Sequence, residues 1–350
     1  MIDRSVGGDA IFLNNIKYPQ LKSLRDLKEA QSQGQQLTIT YAENTPSEFL
    51  ALFLSDDFEE FNLQNFHEQK KVKDSSEAWN LLKDTNQNVA VAVLWEPDIG
   101  EATKQGYTKI LSSDYVPNII IDVLVASDWI ISSQPEQITT FLIAYYNRSL
   151  RKDQGIEFFN SRKAQKWMTD GTLEERIKST AALLQLHGKL NQVPKNPKDL
   201  FTSQFVEKAA EDIGDAPEAT VTETPTPRGL RNSIGKLRKL KEIKFAVDSA
   251  ELTQEAKSIL DKISQRIIEY EPQKIVIKVM GHTSKSRFPS LNKNLSESRA
   301  KVVEQYLSNN SKLQYYTIES EGKDDSELLP GISPDDSKNQ RTEIQILRSD

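Results

Sequence analysis

Hydrophobic residues in the first half of the chain fall into short runs separated by helix-like segments. Four runs are rich in β-branched and aromatic residues: AIFL (10–13), LTITY (37–41), VAVLW (91–95) and IDVLVAS (121–127). Nearly continuous apolar runs of this kind are typical of strands buried on both faces of a sheet. Helical spacing occurs between them, in SEFLALFLSDDF, in SSEAWNLLKD and from Pro135 to Leu150. The alternation predicts an α/β region with a parallel sheet covered by helices.

The pattern changes in the last third of the chain. Predicted strands are EIKFAV (242–247), KIVIKVMGH, YYTIESEG and TEIQIL. Two amphipathic helices are predicted among them, in LTQEAKSILDKISQRIIEY and LSESRAKVVEQYL, because their apolar residues recur at helical spacing. The resulting order β-α-β-α-β-β predicts a small α+β domain with helices on one face of a sheet.

A polar stretch separates the two patterns. EDIGDAPEATVTETPTPRG combines acidic residues and threonines with three prolines, and it offers little to bury. Such composition favours an extended linker. We therefore predict a front domain at 1–210, a Pro/Thr-rich linker at 211–235 and a C-terminal domain at 236–350. The basic stretch RGLRNSIGKLRKLKEIK that follows is either an ordinary solvated surface or a patch for an anionic polymer.

Composition limits the chemistry. The 350 residues carry a net charge of −6 and no cysteine, so nucleic-acid binding has no general electrostatic support and thiolate chemistry is excluded. The three histidines, His67, His187 and His282, follow no metal-ligand spacing. We predict no catalytic residue, metal or cofactor. The chain contains no apolar run of the ~18 residues that a membrane-spanning helix needs.

Two short stretches of the front domain carry candidate binding residues. In TITYAENTPSEFLALFL, Thr45 is a predicted N-cap, Pro46 follows at the first helical position and Glu48 completes a capping box. This helix start, which includes Ser47, follows a strand, and free N–H groups at such sheet edges favour anions. The alternative is that Thr45 and Glu48 only cap the helix.

The second stretch is VAVLWEPDIGEA. Its strand ends at Trp95, Glu96, Pro97 and Asp98, because proline stops a strand, and this places an aromatic ring and two carboxylates at the sheet edge. Trp95 either lines a ligand pocket or is simply buried where the strand ends.

The front half resembles type II periplasmic substrate-binding proteins of the nitrate, sulfonate and thiamine-precursor group. The matching stretches are DRSVGGDA (3–10), TPSEF (45–49), VLWEPD (93–98), and IDVLVAS with the helix through QITTFLIAYY. The resemblance implies two lobes that close on a small, anionic solute, with Thr45, Ser47, Trp95, Glu96 and Asp98 as ligand-binding residues.

One feature departs from that group, in which the Gly-Gly-Asp segment follows the opening strands of the first lobe. Here Gly7-Gly8-Asp9 stands near the start of the chain. The resemblance therefore implies an incomplete first lobe. The start MIDRSVGGDAIFL also lacks the features of a secretory signal. We expect a signal sequence and a first-lobe segment to have been lost or misassigned upstream of Met1.

In the C-terminal domain, Arg299 lies beside the apolar stripe of LSESRAKVVEQYL and close to the polar loop 282–294. A guanidinium at a helix start suits a carboxylate ligand. The alternative is an ordinary surface arginine that pairs with Glu297 or Glu304.

Residues 242–347 resemble the OmpA-like (OmpA/MotB/Pal) peptidoglycan-binding domain. The matches are Phe245, DSAELT (248–253), Gly281-His282-Thr283, NKNLSESRA (292–300), Gly322 and NQRTEI (339–344). The resemblance implies that the diaminopimelate of the stem peptide binds at Thr283, Ser284, Asn292, Arg299, Asn339 and Arg341. Ser284 stands where that family has an aspartate, and Gln340 stands where it has an arginine. We expect weaker but retained binding.

Three functions remain open. The first is a non-enzymatic protein of the cell envelope, located in the periplasm, whose OmpA-like domain holds peptidoglycan and tethers a receptor for a small anionic solute. The second is a structural wall anchor whose front domain no longer binds a ligand. The third is an enzyme of the thiamine-precursor type, which the lack of cysteine disfavours.

Overall fold

The computed structural model of the protein describes residues 1–148, 152–153, 155–214, 232–238, 243, 245, 249–285 and 289–349. The chain separates into two compact units, each built from several segments. Unit 1 contains Met1–Phe12, Thr40–Phe53 and Lys70–Pro225, and unit 2 contains Leu13–Ile39, Leu54–Gln69 and Thr226–Asp350. The chain therefore passes between the units several times. The linker predicted at 211–235 lies mostly outside the described residues, and the predicted domain boundaries stay predictions.

The strands of the front half form two sheets. They are β1 (Asp3–Ser5), β2 (Asp9–Leu13), β3 (Thr38–Ala42), β4 (Glu68–Val72), β5 (Val89–Trp95), β6 (Thr108–Ser112), β7 (Ile121–Asp122), β8 (Lys152–Asp153) and β9 (Ile156–Phe158). One sheet has the order β4-β3-β5-β2-β6 and the other has the order β7-β1-β9-β8. The predicted strands at 10–13, 37–41 and 91–95 are confirmed as β2, β3 and β5, since every residue of β2 and β3 is buried.

Helices alternate with these strands. They are α1 (Leu24–Ser32), α2 (Pro46–Asp57), α3 (Ser75–Lys83), α4 (Asp98–Lys104), α5 (Asp128–Ser133), α6 (Pro135–Arg148), α7 (Ser161–Thr169), α8 (Thr172–Leu186) and α9 (Gln204–Ile213). The predicted cap of α2 is confirmed, because Thr45 Oγ1 accepts a hydrogen bond from Ser47 N at 3.2 Å. Glu48 Oε2 accepts from the backbone N–H of Asn44 at 2.8 Å, which satisfies a second donor at the helix start.

The prediction of a buried strand at 121–127 is wrong. Only Ile121–Asp122 forms a strand, and β7 lies at the edge of its four-stranded sheet. Val125, in the following segment, is 84% exposed. The apolar composition of IDVLVAS is therefore not matched by burial, because a strand at a sheet edge has a neighbour on one side only.

The C-terminal part of unit 2 contains β10 (Ser233–Lys236), α10 (Gln254–Ile267), β11 (Ile275–Gly281), α11 (Pro289–Ser308), β12 (Thr317–Gly322) and β13 (Thr342–Arg348). From α10 onward these elements follow the predicted order α-β-α-β-β. The strand predicted at 242–247 lies mostly outside the described residues, and the first described strand is β10, which begins inside the segment 211–235 that was predicted as linker. In the sheet order β10-β13-β11-β12, β11 is parallel to β12 and antiparallel to β13.

Helix α10 illustrates how the sequence builds this region. Thr253 caps it by accepting a hydrogen bond from Ala256 N at 3.1 Å. Its predicted apolar stripe is buried, including Ile259, Leu260 and Ile263.

The protein is an α/β protein with several sheets and an α+β C-terminal region. Among the described residues, no helix combines the length and the apolar character needed to cross a membrane.

Candidate functional site

Two glycines bring helix α11 close to the end of the C-terminal sheet. Gly281 and Gly322 are register partners at the ends of the parallel strands β11 and β12. A Cβ atom on Gly281 would lie 2.2 Å from the carbonyl oxygen of Ser296, and one on Gly322 would lie 2.5 Å from Glu297 Cγ. Because neither position has room for a side chain, this turn of α11 packs directly on the strand ends. Arg299 is thereby placed beside the loop that follows β11.

That loop is held by hydrogen bonds from its backbone. His282 N donates to Arg341 O at 2.8 Å, Thr283 N to Asp324 O at 2.8 Å and Lys285 N to Pro334 O at 2.7 Å. The carbonyl oxygen of Ser284 accepts from Asn292 Nδ2 at 2.9 Å. Residues 282–285 of this loop therefore have a fixed backbone, and the predicted residues Thr283, Ser284 and Asn292 lie together.

Arg299 is almost completely buried, with 2% of its surface exposed. Its Nε donates to the carbonyl oxygen of Ser249 at 3.0 Å, and its guanidinium carbon lies 5.2 Å from the centre of the Phe245 ring. The Nη1 atom donates to Gln340 Oε1 at 3.3 Å. These contacts fix the plane of the guanidinium, and burial strengthens its electrostatic interactions. Arg299 is therefore not the exposed surface arginine, paired with Glu297 or Glu304, of the alternative interpretation.

Gln340 joins Arg299 to Ser284. Its Nε2 atom donates to Ser284 Oγ at 3.2 Å, while its Oε1 atom accepts from Arg299. Gln340 was not predicted as a site residue. The sequence feature that could have identified Gln340 is its position in Asn339-Gln340-Arg341, because the resembled family has an arginine at that position. We call Ser284, Asn292 and Arg299 the arginine site, and Gln340 lies against it.

The other two predicted residues of this set contact the protein itself. Asn339 is fully buried, donates to Ser333 O at 2.8 Å and accepts from Leu329 N at 2.8 Å. Arg341 donates from Nε to Glu343 Oε1 at 2.7 Å. Asn339 therefore holds its own loop, and Arg341 belongs to a buried charge cluster next to the arginine site.

Glu343 is the centre of that cluster. Its Oε2 atom lies 2.5 Å from Lys236 Nζ and 3.4 Å from His282 Nε2. Burial alone would raise the pKa of Glu343, but the nearby side chains of His282 and Lys236 and the charges of Lys236 and Arg341 hold this pKa well below its usual range. The cluster ties β10 to the ends of β11 and β13.

The predicted ligand residues of the front half are distributed over several elements of unit 1. Thr45 Oγ1 donates to Ala42 O at 2.8 Å, and Ser47 is fully buried. The backbone N–H of Trp95 donates to Ser75 Oγ at 3.0 Å, Glu96 Oε2 accepts from Gly100 N at 3.2 Å, and Asp98 Oδ2 accepts from Ser76 Oγ at 3.2 Å. These contacts lie at the starts of helices α3 and α4. The side chains of Glu96 and Asp98 therefore have a structural role there.

A cavity of about 1040 Å³ lies within unit 1. Aliphatic and aromatic residues form most of its wall, among them Phe49, Leu124 and Phe205. Of the predicted front residues, Thr45 lines it, whereas Ser47, Trp95, Glu96 and Asp98 are not among its lining residues. Lys189 also lines the cavity and forms an ion pair with Glu48 at 2.7 Å. Within the described residues, no cluster of three or more His, Asp or Glu side chains has a geometry suited to a metal ion.

Residues 244–342 match the OmpA family. The C-terminal region of this chain is thus an OmpA-like domain, the peptidoglycan-binding type of domain found in cell-wall anchors. The family match does not extend to residues 1–243, and a comparison with curated proteins gave no match.

Three solved structures illustrate the similarity. The OmpA-like domain of FopA1 from Francisella tularensis subsp. tularensis SCHU S4 is 29% identical over 31% of this chain and 70% of that one, with a TM-score of 0.27. The cell wall anchor of the T6SS from Pseudomonas aeruginosa is 24% identical over 30% and 74%, with a TM-score of 0.23. The periplasmic domain of Helicobacter pylori MotB is 19% identical over 31% and 78%, with a TM-score of 0.25.

Proposed function

We propose that this chain is a non-enzymatic binding protein of the cell envelope whose OmpA-like domain binds the peptidoglycan stem peptide at the arginine site. The observation that carries the proposal is the position of Arg299, buried in the matched domain beside Ser284 and Asn292. The proposal includes a periplasmic location, in keeping with the OmpA-like domain.

The chemistry of the site favours a carboxylate. A guanidinium offers two parallel N–H donors to a carboxylate, and such charge-assisted bonds are stronger than bonds between neutral groups. Arg299 is oriented by Ser249 and Phe245, so little side-chain entropy remains to be lost when a ligand binds. The carboxylate of diaminopimelate is the group we assign to Arg299.

The ammonium of diaminopimelate meets a weaker partner. Ser284 offers it a neutral hydroxyl oxygen in place of a carboxylate. Exchanging a charged hydrogen bond for a neutral one costs on the order of 1 kcal/mol. We therefore propose that the domain binds the stem peptide more weakly than it would with a carboxylate at position 284, by a factor of about ten or somewhat less.

Co-sedimentation with purified sacculi tests the proposal. Arg299→Ala is expected to weaken binding at least about tenfold, since it removes the charged partner of the carboxylate. Lys301→Ala is the matched control, because it removes one positive charge from the exposed face of the same helix. Thermal unfolding of each variant checks that the domain is folded. Equal sedimentation of Arg299→Ala, Lys301→Ala and the wild type would overturn the proposal.

We also propose that unit 1 is a receptor for a small solute with an apolar body and an anionic group. The support is the cavity of about 1040 Å³, whose mainly apolar wall includes Thr45 at the start of α2. Helix starts attract anions because the positive end of the helix dipole lies there. A structural wall anchor that binds no solute in unit 1 is the alternative.

A thermal-shift screen with small carboxylates and sulfonates separates these two roles of unit 1. A solute that binds only the folded state raises Tm. A concentration-dependent rise that Leu124→Arg abolishes supports the receptor, because the new charge would stand in the apolar cavity wall. A flat response over the whole panel favours the structural anchor.

A further inference from the structure

The side chain of Gln340 lies over the arginine site. Gln340 itself is exposed, whereas Arg299 and Ser284, which it contacts, are 2% and 8% exposed. Its carboxamide makes one hydrogen bond to each of them, at 3.3 Å to Arg299 Nη1 and at 3.2 Å to Ser284 Oγ. A ligand that took the same bonding positions at Arg299 Nη1 and Ser284 Oγ would therefore have to replace this carboxamide.

The carboxamide of Gln340 has a defined orientation between Arg299 and Ser284. Its oxygen, an acceptor, faces the guanidinium, and its NH₂ group, a donor, faces the hydroxyl oxygen. A zwitterionic ligand bound with its carboxylate at Arg299 and its ammonium at Ser284 would present the same order of acceptor and donor. The Gln340 amide thus resembles such a ligand in hydrogen bonding but carries no charge.

The backbone on both sides of this side chain is fixed. Gln340 N donates to Ser337 O at 2.9 Å, the preceding Asn339 is fully buried, and the following Arg341 is bonded to Glu343. Displacement of the amide therefore requires a change in the side-chain torsions of Gln340 and no movement of the loop. Exposed side chains make such changes within picoseconds to nanoseconds.

We propose that Gln340 is an internal competitor at the arginine site: its amide occupies the positions of the ligand's carboxylate and ammonium and must turn away before the ligand binds. This inference rests on the proposed function of the site. The amide makes one hydrogen bond to the neutral Ser284 hydroxyl and one to the charged Arg299. The ligand's carboxylate instead forms a pair with Arg299 in which both partners are charged, so the ligand displaces the amide. The observed affinity equals the intrinsic affinity multiplied by the fraction of molecules in which the amide has turned away.

Substitutions at Gln340 change binding in opposite directions. Gln340→Ala removes the competitor and is expected to tighten sacculus binding about three- to tenfold. Gln340→Glu places a carboxylate next to Arg299 and is expected to weaken binding at least about tenfold, since this competitor is charged. A merely structural role for Gln340 predicts that both substitutions weaken binding. Gln314→Ala, at an exposed position on another segment, is the matched control.

A second measurement needs no ligand. Phenylglyoxal modifies accessible guanidinium groups, and peptide mapping by mass spectrometry gives the rate at Arg299 alone. We expect this rate to rise severalfold in Gln340→Ala and to stay at the wild-type value in Gln314→Ala. An unchanged rate, or sacculus binding that falls in both Gln340 variants, would overturn the inference. If no variant and no wild-type protein sediments with sacculi, the proposed function is wrong, and the modification rate still decides whether Gln340 covers Arg299.

Discussion

Arg266, which is partly buried, and Asp57, which is buried, form an ion pair across 209 residues of sequence, with 2.7 Å between Arg266 Nε and Asp57 Oδ1. Arg266 also donates from Nη2 to the carbonyl oxygen of Asp57 at 2.8 Å, and the hydroxyl of Tyr270 donates to Asp57 Oδ2. Arg266 belongs to α10, which is part of the OmpA-like domain, whereas Asp57 is the last residue of α2. The segment 54–69 is therefore a structural part of unit 2.

Breaking this pair should destabilise unit 2. Arg266→Met leaves the carboxylate of Asp57 buried without its cation, which costs about 3–5 kcal/mol of unfolding free energy. Asp56→Asn is the control, because Asp56 contributes its backbone oxygen to Arg266. Urea unfolding followed by circular dichroism measures both variants. An unchanged midpoint for Arg266→Met would mean that the pair contributes nothing to the stability of unit 2.

A carboxylate at position 284 should strengthen sacculus binding. Ser284→Asp gives the ammonium of diaminopimelate a charged partner, and we expect binding about tenfold tighter. Ser298→Asp adds the same charge on the exposed face of α11 and is the control. Co-sedimentation compares the two variants. If Ser284→Asp binds no better than Ser298→Asp, the serine is not the cause of weak binding.

A side chain at Gly281 should displace α11 from the sheet. The Cβ atom of Gly281→Ala would meet backbone, the Ser296 carbonyl, at 2.2 Å, so the expected loss is several kcal/mol. At Gly331 a Cβ atom would meet nothing within 4 Å, although the φ of +72° is unfavourable for alanine. Gly331→Ala should therefore cost about 1 kcal/mol. Denaturant unfolding of both variants checks the difference, and equal losses would contradict the packing argument.

The stability of unit 1 should depend on pH through Asp3. Asp3 lies opposite Asp122 in the β1–β7 register. Burial, followed by the hydrogen bond and the charge of Asp122, raises the pKa of Asp3 to about 7, against the opposing hydrogen bond from Tyr145. The folded state therefore holds a proton that the unfolded state has released between about pH 4 and pH 7. The unfolding free energy contributed by Asp3 falls as pH rises through this range, by at most about 1.4 kcal/mol per pH unit.

Asp3→Asn removes this titration. We expect the variant to gain stability relative to the wild type as pH rises from 4.5 to 7.5, so that its profile is flatter. Glu211→Gln, an exposed position on α9, should leave the profile unchanged. Denaturant unfolding at several pH values measures the three proteins. Parallel profiles for the wild type and Asp3→Asn would show that Asp3 releases its proton in the folded state as readily as in the unfolded state.

Local patterns predicted most elements correctly. The cap at Thr45 and the apolar stripe of α10 depend on residues within a few positions of each other, so the sequence shows them directly. The segment 121–127 misled because its composition is typical of a buried strand. Whether such a segment is buried depends on a neighbouring strand from elsewhere in the chain, and β7 lies at a sheet edge.

The arginine site was predicted in part. Ser284, Asn292 and Arg299 lie within sixteen positions of one another, on a loop and the helix it enters, and the resemblance to the OmpA-like domain pointed to them. Gln340 was missed because it reaches Ser284 across 56 positions and Arg299 across 41. Asn339 and Arg341 were assigned to a ligand, whereas the structure shows them bonded to the protein; whether they also contact a ligand stays a prediction.

The sequence by itself determined most of the elements and the helix caps, because these follow from the spacing of apolar and polar residues over one or two turns. The kind of domain at the C-terminus came from the resemblance of its motifs to the OmpA-like domain. The tertiary structure decided which distant segments share a unit and which side chains meet. The joining of Asp57 to Arg266 and the placing of Gln340 over Arg299 are examples. Such contacts depend on how whole surfaces pack and on which buried charges find partners, and neither is encoded in any short stretch of sequence.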